Sequence, residues 1–324
     1  MRPLHTFLHR LAGGFALCLA LAGGAGAATR DFYFERLGGE RGLAQNTVNA
    51  LAQDAQGFVW VGTQGGLHRY DGQRFIAYRH DPRDPAGLPD SYVTALAVED
   101  SRALWVGSYS QYVSRLDLAT GTIRRYGTAG GSHAQRQVMA VLPLGGVVWV
   151  GTLGGLERLD PKTGTRDRVI TQDPQTLRAN PVQTLAAGED GGVWYGNAAG
   201  LYRVGPRGGV ERMRPALAVR ALARDHRGQL WIASSEGLYR LASDDRTLLR
   251  VWPAPGAPPS DVRAVVETGD RQLWLSLGTH GVLRLDPSTL DVLAVNRQAG
   301  VSSCLLYTSP SPRDLSTSRM PSSA

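Results

Sequence analysis

The chain has 324 residues, of which 42% are hydrophobic, with 40 glycines, 18 prolines and only two cysteines. This composition allows a large core and many turns, and it excludes a scaffold held together by disulfides. The formal net charge is +7 at pH 7, but the basic residues are almost all arginine and form no run or basic helix, so we expect no nucleic-acid partner.

The N-terminus has the order of features found in an export signal. A short charged region is followed by an apolar run at residues 11–21 and by a small-residue cleavage pattern at 25–27. Cys18 would suggest a lipoprotein only if a small residue preceded it, and Leu17 stands there. We therefore predict a signal peptide over residues 1–27 and a periplasmic location.

One phrase then recurs six times, each time around a tryptophan. The copies are spaced by 37 to 45 residues, a period typical of a repeat architecture. The first copy reads VNALAQDAQGFVWVGTQGGLHRYDG over 48–72, and the fifth reads VRALARDHRGQLWIASSEGLYRL over 219–241. The tryptophans are Trp60, Trp105, Trp149, Trp194, Trp231 and Trp274.

Each copy predicts four short antiparallel strands separated by glycine and aspartate turns. Four such strands per repeat, without a helical period, are typical of a β-propeller blade, and the period is too long for a β-helix or a leucine-rich repeat. We predict an all-β fold over residues 31–300, a β-propeller with about six blades present. The stretch 31–37 is expected to complete a blade of a larger, truncated propeller.

The repeated residues are interpreted as structural. The tryptophan rings should fill the wedge between adjacent sheets. The arginine of the G-L-x-R phrase should stack on or pair with the neighbouring blade. The aspartates before the first turn should cap its backbone amides. These aspartates are Asp54, Asp100, Asp190 and Asp225.

After Gly300 the repeat stops, and the chain becomes rich in serine and proline. By composition this segment is a disordered tail. It also resembles translated sequencing-adaptor read-through. We therefore interpret residues 301–324 as a sequencing artefact.

The run from Phe34 to Leu96 resembles the opening of the two-component-regulator propeller family, whose pattern GLxxxxVxxLxQDxxGxxWxGTxxGLxRYDG it matches in order. The resemblance extends over about residues 32–300. It implies a periplasmic input domain of a hybrid histidine kinase or a sensor diguanylate cyclase. It also implies that a β-sandwich, a membrane segment and an output domain belong to the same receptor, and it leaves room for a receptor dimer.

Ligand binding is expected where the repeats differ, in the loops around the channel mouth. A polar ring there would suit a small molecule such as a saccharide, a peptide or an organic anion. Tyr109 and Tyr112 are the preferred pair, and the innermost strands add Asn49, Thr94 and Gln183. The candidate ligand-binding residues are Asn46, Gln64, Tyr109, Gln111, Tyr112, Asn180, Asn197, Arg220, Glu236, Arg263 and His280.

Catalysis, metals and cofactors have no motif in the sequence, so we predict none of them. One enzyme alternative is a propeller similar to streptogramin lyases, in which His280 and Glu236 would abstract a proton. A second alternative is an adhesion or scaffolding propeller.

Overall fold

The structure is a computed structural model that describes residues 34–110, 112–127, 136–169, 181–206, 208–244, 246–278 and 281–295. The predicted signal peptide and the predicted tail lie outside these residues. Within them, no helix is long and apolar enough to cross a membrane.

Six four-stranded antiparallel sheets follow one another along the chain and form a ring. Blade 1 contains β1 (Val48–Gln53), β2 (Val59–Thr63), β3 (Gly66–Tyr70) and β4 (Phe75–Tyr78). Blade 2 contains β5 (Val93–Glu99), β6 (Ala103–Ser108), β7 (Val113–Asp117) and β8 (Ile123–Tyr126). Blade 3 contains β9 (Val138–Leu144), β10 (Val147–Thr152), β11 (Gly155–Leu159) and β12 (Arg166–Arg168).

The second half of the ring repeats this arrangement. Blade 4 contains β13 (Thr184–Ala187), β14 (Val193–Asn197), β15 (Gly200–Val204) and β16 (Val210–Pro215). Blade 5 contains β17 (Val219–Arg224), β18 (Leu230–Ser234), β19 (Gly237–Leu241) and β20 (Leu248–Trp252). Blade 6 contains β21 (Val262–Glu267), β22 (Leu273–Leu277), β23 (Gly281–Leu285) and β24 (Val292–Val295). The predicted propeller fold is confirmed.

The core lies between the blades, where each sheet packs on the next. Trp60 of blade 1 packs with Val93 and Leu104 of blade 2, and Trp231 of blade 5 packs with Leu275 of blade 6. Four of the six repeated tryptophans are at most 2% exposed, as expected of rings that fill the wedge between sheets. These four are Trp60, Trp105, Trp194 and Trp231.

The repeated arginine corrects one prediction. It lies directly opposite the tryptophan of its own blade, in pairs such as Trp60 with Arg69 and Trp194 with Arg203. The Arg203 guanidinium carbon is 5.6 Å from the Trp194 ring centre, a cation–π distance. The stacking partner is therefore the adjacent strand and not the neighbouring blade, because the register of each hairpin fixes this cross-strand pair.

Blades 1 and 6 each have one face that does not pack on blade 2 or blade 5, and this face is less covered than the equivalent faces of the other blades. Leu51 on β1 is 64% exposed and Val266 on β21 is 56% exposed, whereas the residues equivalent to Leu51 in the other blades are buried or half-buried. Residues 34–37 form no strand, although the Phe34 ring meets Trp274 edge-on at 6.5 Å. The larger, truncated propeller stays a prediction.

Candidate functional site

A cavity of about 570 Å³ opens at the channel mouth, where the first strands of the blades begin. This volume falls in the usual range for small-molecule sites. Its wall combines polar, aromatic and cationic side chains. The lining residues are Asn49, Tyr92, Thr94, Tyr109, Gln137, Met139, Leu153, Gln183, Arg220 and Arg263.

Six of these residues occupy the same position of the repeat, one in each blade. The position is the second residue of the V-x-A or V-x-T phrase at the start of the innermost strand, and the preceding valine is fully buried in blades 2 to 6. The wall of the cavity is therefore built from one variable position on a constant framework. The six residues are Asn49, Thr94, Met139, Gln183, Arg220 and Arg263.

A β-bulge turns this position toward the channel. In blade 2, Val93 pairs with Ser108 and Ala95 pairs with Gly107, so Thr94 between them is left out of the pairing. The same shift occurs in blades 1, 3, 5 and 6. Because a bulge re-aims a side chain without ending the strand, the valine keeps its place in the core while the next residue lines the cavity.

Two arginines on neighbouring blades provide the positive charge of the cavity wall. The Nε atom of Arg220 donates to Oδ1 of Asp261 at 3.3 Å, and Nε of Arg263 donates to Oδ2 of the same carboxylate at 3.1 Å. Asp261 thereby holds both guanidinium groups at the rim of the cavity. The charges of these three groups sum to +1.

An aromatic platform lies on the blade 2 side of the cavity. The rings of Tyr92 and Tyr109 are parallel within 7° and their centres are 4.7 Å apart. Tyr109 donates its backbone N–H to the Tyr92 carbonyl at 2.9 Å, and the Asp90 carboxylate accepts the backbone N–H groups of Tyr92 and Ser110. These backbone hydrogen bonds fix the position of the pair. Tyr109 is 45% exposed.

The structure brings together part of the predicted ligand-binding set. Tyr109, Arg220 and Arg263 line the cavity. Gln64 adjoins it, because its Nε2 donates to the Tyr92 hydroxyl at 3.2 Å. Asn46 is exposed on the segment that leads into β1. Gln111, Asn180 and His280 lie outside the described residues.

Three other predicted residues are not among those that line the cavity, namely Asn197, Tyr112 and Glu236. Asn197 is fully buried, and its Oδ1 accepts the N–H groups of Ala199 and Gly200 in the β14–β15 turn. The Tyr112 ring lies against Gly127, and Tyr112 is not among the lining residues. The partner of Tyr109 is Tyr92.

Glu236 is occupied within its own hairpin. Its Oε2 accepts the Tyr239 hydroxyl at 3.1 Å. Burial, followed by the hydrogen bond to Glu236, raises the pKa of Tyr239, so this hydroxyl keeps its proton and remains the donor. Within the described ranges, no group of three or more His, Cys, Asp or Glu residues could hold a metal ion.

Three lining residues, Tyr92, Met139 and Leu153, were not predicted from the sequence. Met139 could have been found, because it stands at the same repeat position as Thr94 and Arg220. Tyr92 and Leu153 lie in connecting segments. These segments do not follow the repeat, so the sequence does not predict where their side chains point.

Comparison with known proteins supports the resemblance found in the sequence. Residues 42–65 match the family model described as "Two component regulator propeller". The matched residues include β1 and β2 of blade 1. A curated relative, Histidine kinase P4 from Formosa agariphila, is 37% identical over 62 residues, which are 19% of this chain and 4% of that protein.

Solved structures agree on the fold. The extracellular domain assigned to the hybrid two component system BT3049 from B. thetaiotaomicron is similar with a TM-score of 0.70 and 22% identity, over 84% of this chain and 38% of that one. The extracellular domain assigned to the one component system BT4673 from the same organism has a TM-score of 0.62 at 17% identity, over 82% and 35% of the two chains. The β-propeller domain of Cps50 (Swd1) from Myceliophteria thermophila has a TM-score of 0.58 at 11% identity, over 76% of this chain and 85% of that one. At these identities the similarity establishes the propeller fold, and the chain spans less than two fifths of the two bacterial domains.

Proposed function

We propose that this chain is the periplasmic ligand-sensing input domain of a bacterial transmembrane receptor, either a histidine kinase or a diguanylate cyclase. The observation that carries the proposal is the cavity wall, in which one repeat position varies from blade to blade while the valine before it is kept. A scaffold that needed only to be rigid would not need varied and mostly polar side chains at these positions.

A sensor of this kind signals through differential affinity. A small molecule in the cavity contacts the first strands of several blades, so it favours the arrangement of propeller and downstream domain in which those strands fit it best. The size of the signal is limited by the difference between the affinities of the ligand for the two arrangements. The extracellular domains with similar folds support this reading over that of an enzyme.

The genomic reading frame beyond codon 300 tests the receptor class. We expect a β-sandwich, one apolar helix and a kinase or cyclase domain in frame. A frame that closes directly after the propeller, together with turnover of a streptogramin by the purified protein, would overturn the proposal in favour of the enzyme.

A second test addresses the compartment. Residues 1–40 fused to a reporter that works only in the periplasm should be exported and cleaved near Ala27, because the segment has the charged, apolar and small-residue order of a signal peptide. Retention of the uncleaved fusion in the cytosolic fraction would contradict the periplasmic location.

A further inference from the structure

We propose that the channel-mouth cavity takes a ligand that carries a carboxylate, sulfate or phosphate group, and that Arg220 and Arg263 bind this group. The inference rests on the proposed ligand-sensing function and narrows it to anionic ligands. It follows from three features of the wall, namely its charge, its free donors and its asymmetry.

The charge of the wall comes from blades 5 and 6. Among the described lining residues, Arg220 and Arg263 are the ones with a permanent charge. Asp261 neutralises one of the two positive charges and leaves the other for a ligand. A neutral ligand would leave this surplus charge without a partner in the bound state, whereas an anionic ligand would use it.

The donors needed to bind an anion remain available. Each arginine contacts Asp261 through its Nε atom, and a guanidinium carries four further N–H groups on its two terminal nitrogens. In the described part of the chain, no hydrogen bond of Arg220 or Arg263 through a terminal nitrogen is found. The planar fork of a guanidinium matches the two oxygens of a carboxylate, sulfate or phosphate.

Asp261 also fixes the direction of the two side chains. An arginine that is already held by a carboxylate loses less side-chain entropy when a ligand binds than a free surface arginine does. Because one carboxylate spans residues from two adjacent blades, an anion bound beside it would contact both blades at once. Binding would then be sensitive to the spacing between blades 5 and 6.

The asymmetry of the ring sets the orientation of the ligand. The cationic positions belong to blades 5 and 6, the tyrosine platform belongs to blade 2, and the remaining ring positions are neutral. Blades 2 and 5 are separated along the chain by blades 3 and 4 and therefore supply different parts of the cavity wall. The ligand should place its anionic group at Arg220 and Arg263 and a ring face on Tyr109.

The experiment uses matched pairs of compounds that differ only in the charged group. The pairs are glucuronate with glucose, N-acetylglucosamine 6-sulfate with N-acetylglucosamine, and a short peptide acid with its amide, so that the three arms separate sugar acids, sulfated sugars and peptides. Binding to the purified chain is measured by calorimetry. In at least one arm we expect the anionic compound to bind about tenfold or more tightly than its neutral match.

Variants locate the effect. Arg220→Gln and Arg263→Gln should each weaken binding of the anionic compound by about tenfold and leave the neutral compound unchanged. Arg158→Gln removes the same charge from an exposed residue of β11 that does not line the cavity, and it should change neither. Melting temperatures close to the parent value would exclude loss of folding.

Different failures are distinguishable. Equal affinity for both members of every pair, with no effect of the two arginine variants, would overturn the anionic ligand and leave ligand sensing standing. An equal loss in Arg158→Gln would overturn the assignment of the anion to the cavity. No binding by any of the six compounds would count against both proposals.

Discussion

Trp60 donates a hydrogen bond from its indole Nε1 to Oδ2 of Asp54 at 2.8 Å, and both side chains are buried. The same bond joins Trp231 to Asp225 at 3.0 Å in blade 5. In both of these blades, the other carboxylate oxygen of the aspartate accepts two backbone N–H groups of the turn between the first two strands. A single carboxylate thus ties the turn to the ring that fills the wedge.

Replacing Asp54 by alanine should be strongly destabilising. The variant leaves the indole N–H of Trp60 without its acceptor in the core and removes the cap of Gln56 and Phe58, so we expect a loss of about 2–4 kcal/mol in the free energy of unfolding. Urea denaturation measures it. Asp71→Ala is the matched control, because Asp71 caps only the exposed amides of Gln73 and Arg74. An equal loss in both variants would show that the indole bond contributes nothing.

Gly107, two residues after Trp105 of blade 2, should also be sensitive to replacement, for a different reason. A Cβ built on Gly107 would lie 2.5 Å from Cγ1 of Val138 in the next blade. We expect Gly107→Ala to lower the free energy of unfolding by about 1–3 kcal/mol, because the two blades must move apart or Val138 must leave its rotamer. Gly209→Ala is the control, since nothing lies within 4 Å of its added Cβ. Equal unfolding midpoints for the two variants would contradict close packing at this seam.

His68 should make stability depend on pH. It is fully buried, and its Nε2 accepts the backbone N–H of Ala44 at 3.2 Å. Burial, with a smaller contribution from the charge of Arg79, lowers the pKa of His68 from 6.5. The unfolded chain therefore binds a proton before the folded chain does, so stability is highest above pH 6.5 and falls as the pH drops below it toward the lowered value.

The measurement compares urea midpoints between about pH 8 and about pH 5. His68→Gln removes the titrating group and should flatten the decline. A decline of the same steepness in His68→Gln would assign it to the carboxylates instead.

The fold was predictable because its determinants are local and repeated. The spacing of the tryptophans, the glycine turns and the alternation in Val48–Gln53 all indicate the same four-stranded blade. Six copies of this blade are compatible with few folds other than a propeller. The stacking direction of Arg69 was not predictable, because the partner across a hairpin depends on a register that the pattern leaves open by one residue.

The site was predictable only in part. Arg220 and Arg263 could be placed because they stand at a repeated position next to a buried valine. Asn197 is buried in the structure, and the strand register gives the reason. It is the last residue of its strand, like Thr63 and Ser234. In each of the three blades, the side-chain oxygen of this residue forms a hydrogen bond across the turn between the second and third strands. Such turn residues read as polar loop residues when only the sequence is considered.

Blade 3 contains a buried ion pair that should tolerate replacement of both residues better than replacement of one. Glu157 Oε2 lies 2.6 Å from a terminal nitrogen of Arg166, with side chains 11% and 2% exposed. Burial lowers the pKa of Arg166, while Glu157 beside it favours the charged form. Glu157→Gln should lower the free energy of unfolding by about 3–5 kcal/mol, because it removes the negative charge that balances a buried cation.

The double variant Glu157→Leu/Arg166→Met should recover most of that loss, since apolar side chains of similar size avoid the desolvation of two charges. Thermal or urea unfolding of the four proteins in the cycle measures the coupling. Losses that simply add would mean that the two groups do not interact in solution.

The tyrosine platform gives the sharpest test of which aromatic residues face the ligand. Tyr109 lines the cavity and is 45% exposed, so Tyr109→Ala should leave the melting temperature nearly unchanged. The same variant should weaken the tightest-binding compound of the matched panel by about tenfold, because stacking on an aromatic face contributes about 0.5–1.5 kcal/mol beyond the buried area. Tyr112→Ala is the control from the same blade. Its ring packs on Gly127, so it should lower the melting temperature and leave the affinity intact. The reverse outcome, with affinity lost in Tyr112→Ala and kept in Tyr109→Ala, would move the ligand away from the Tyr92 and Tyr109 pair.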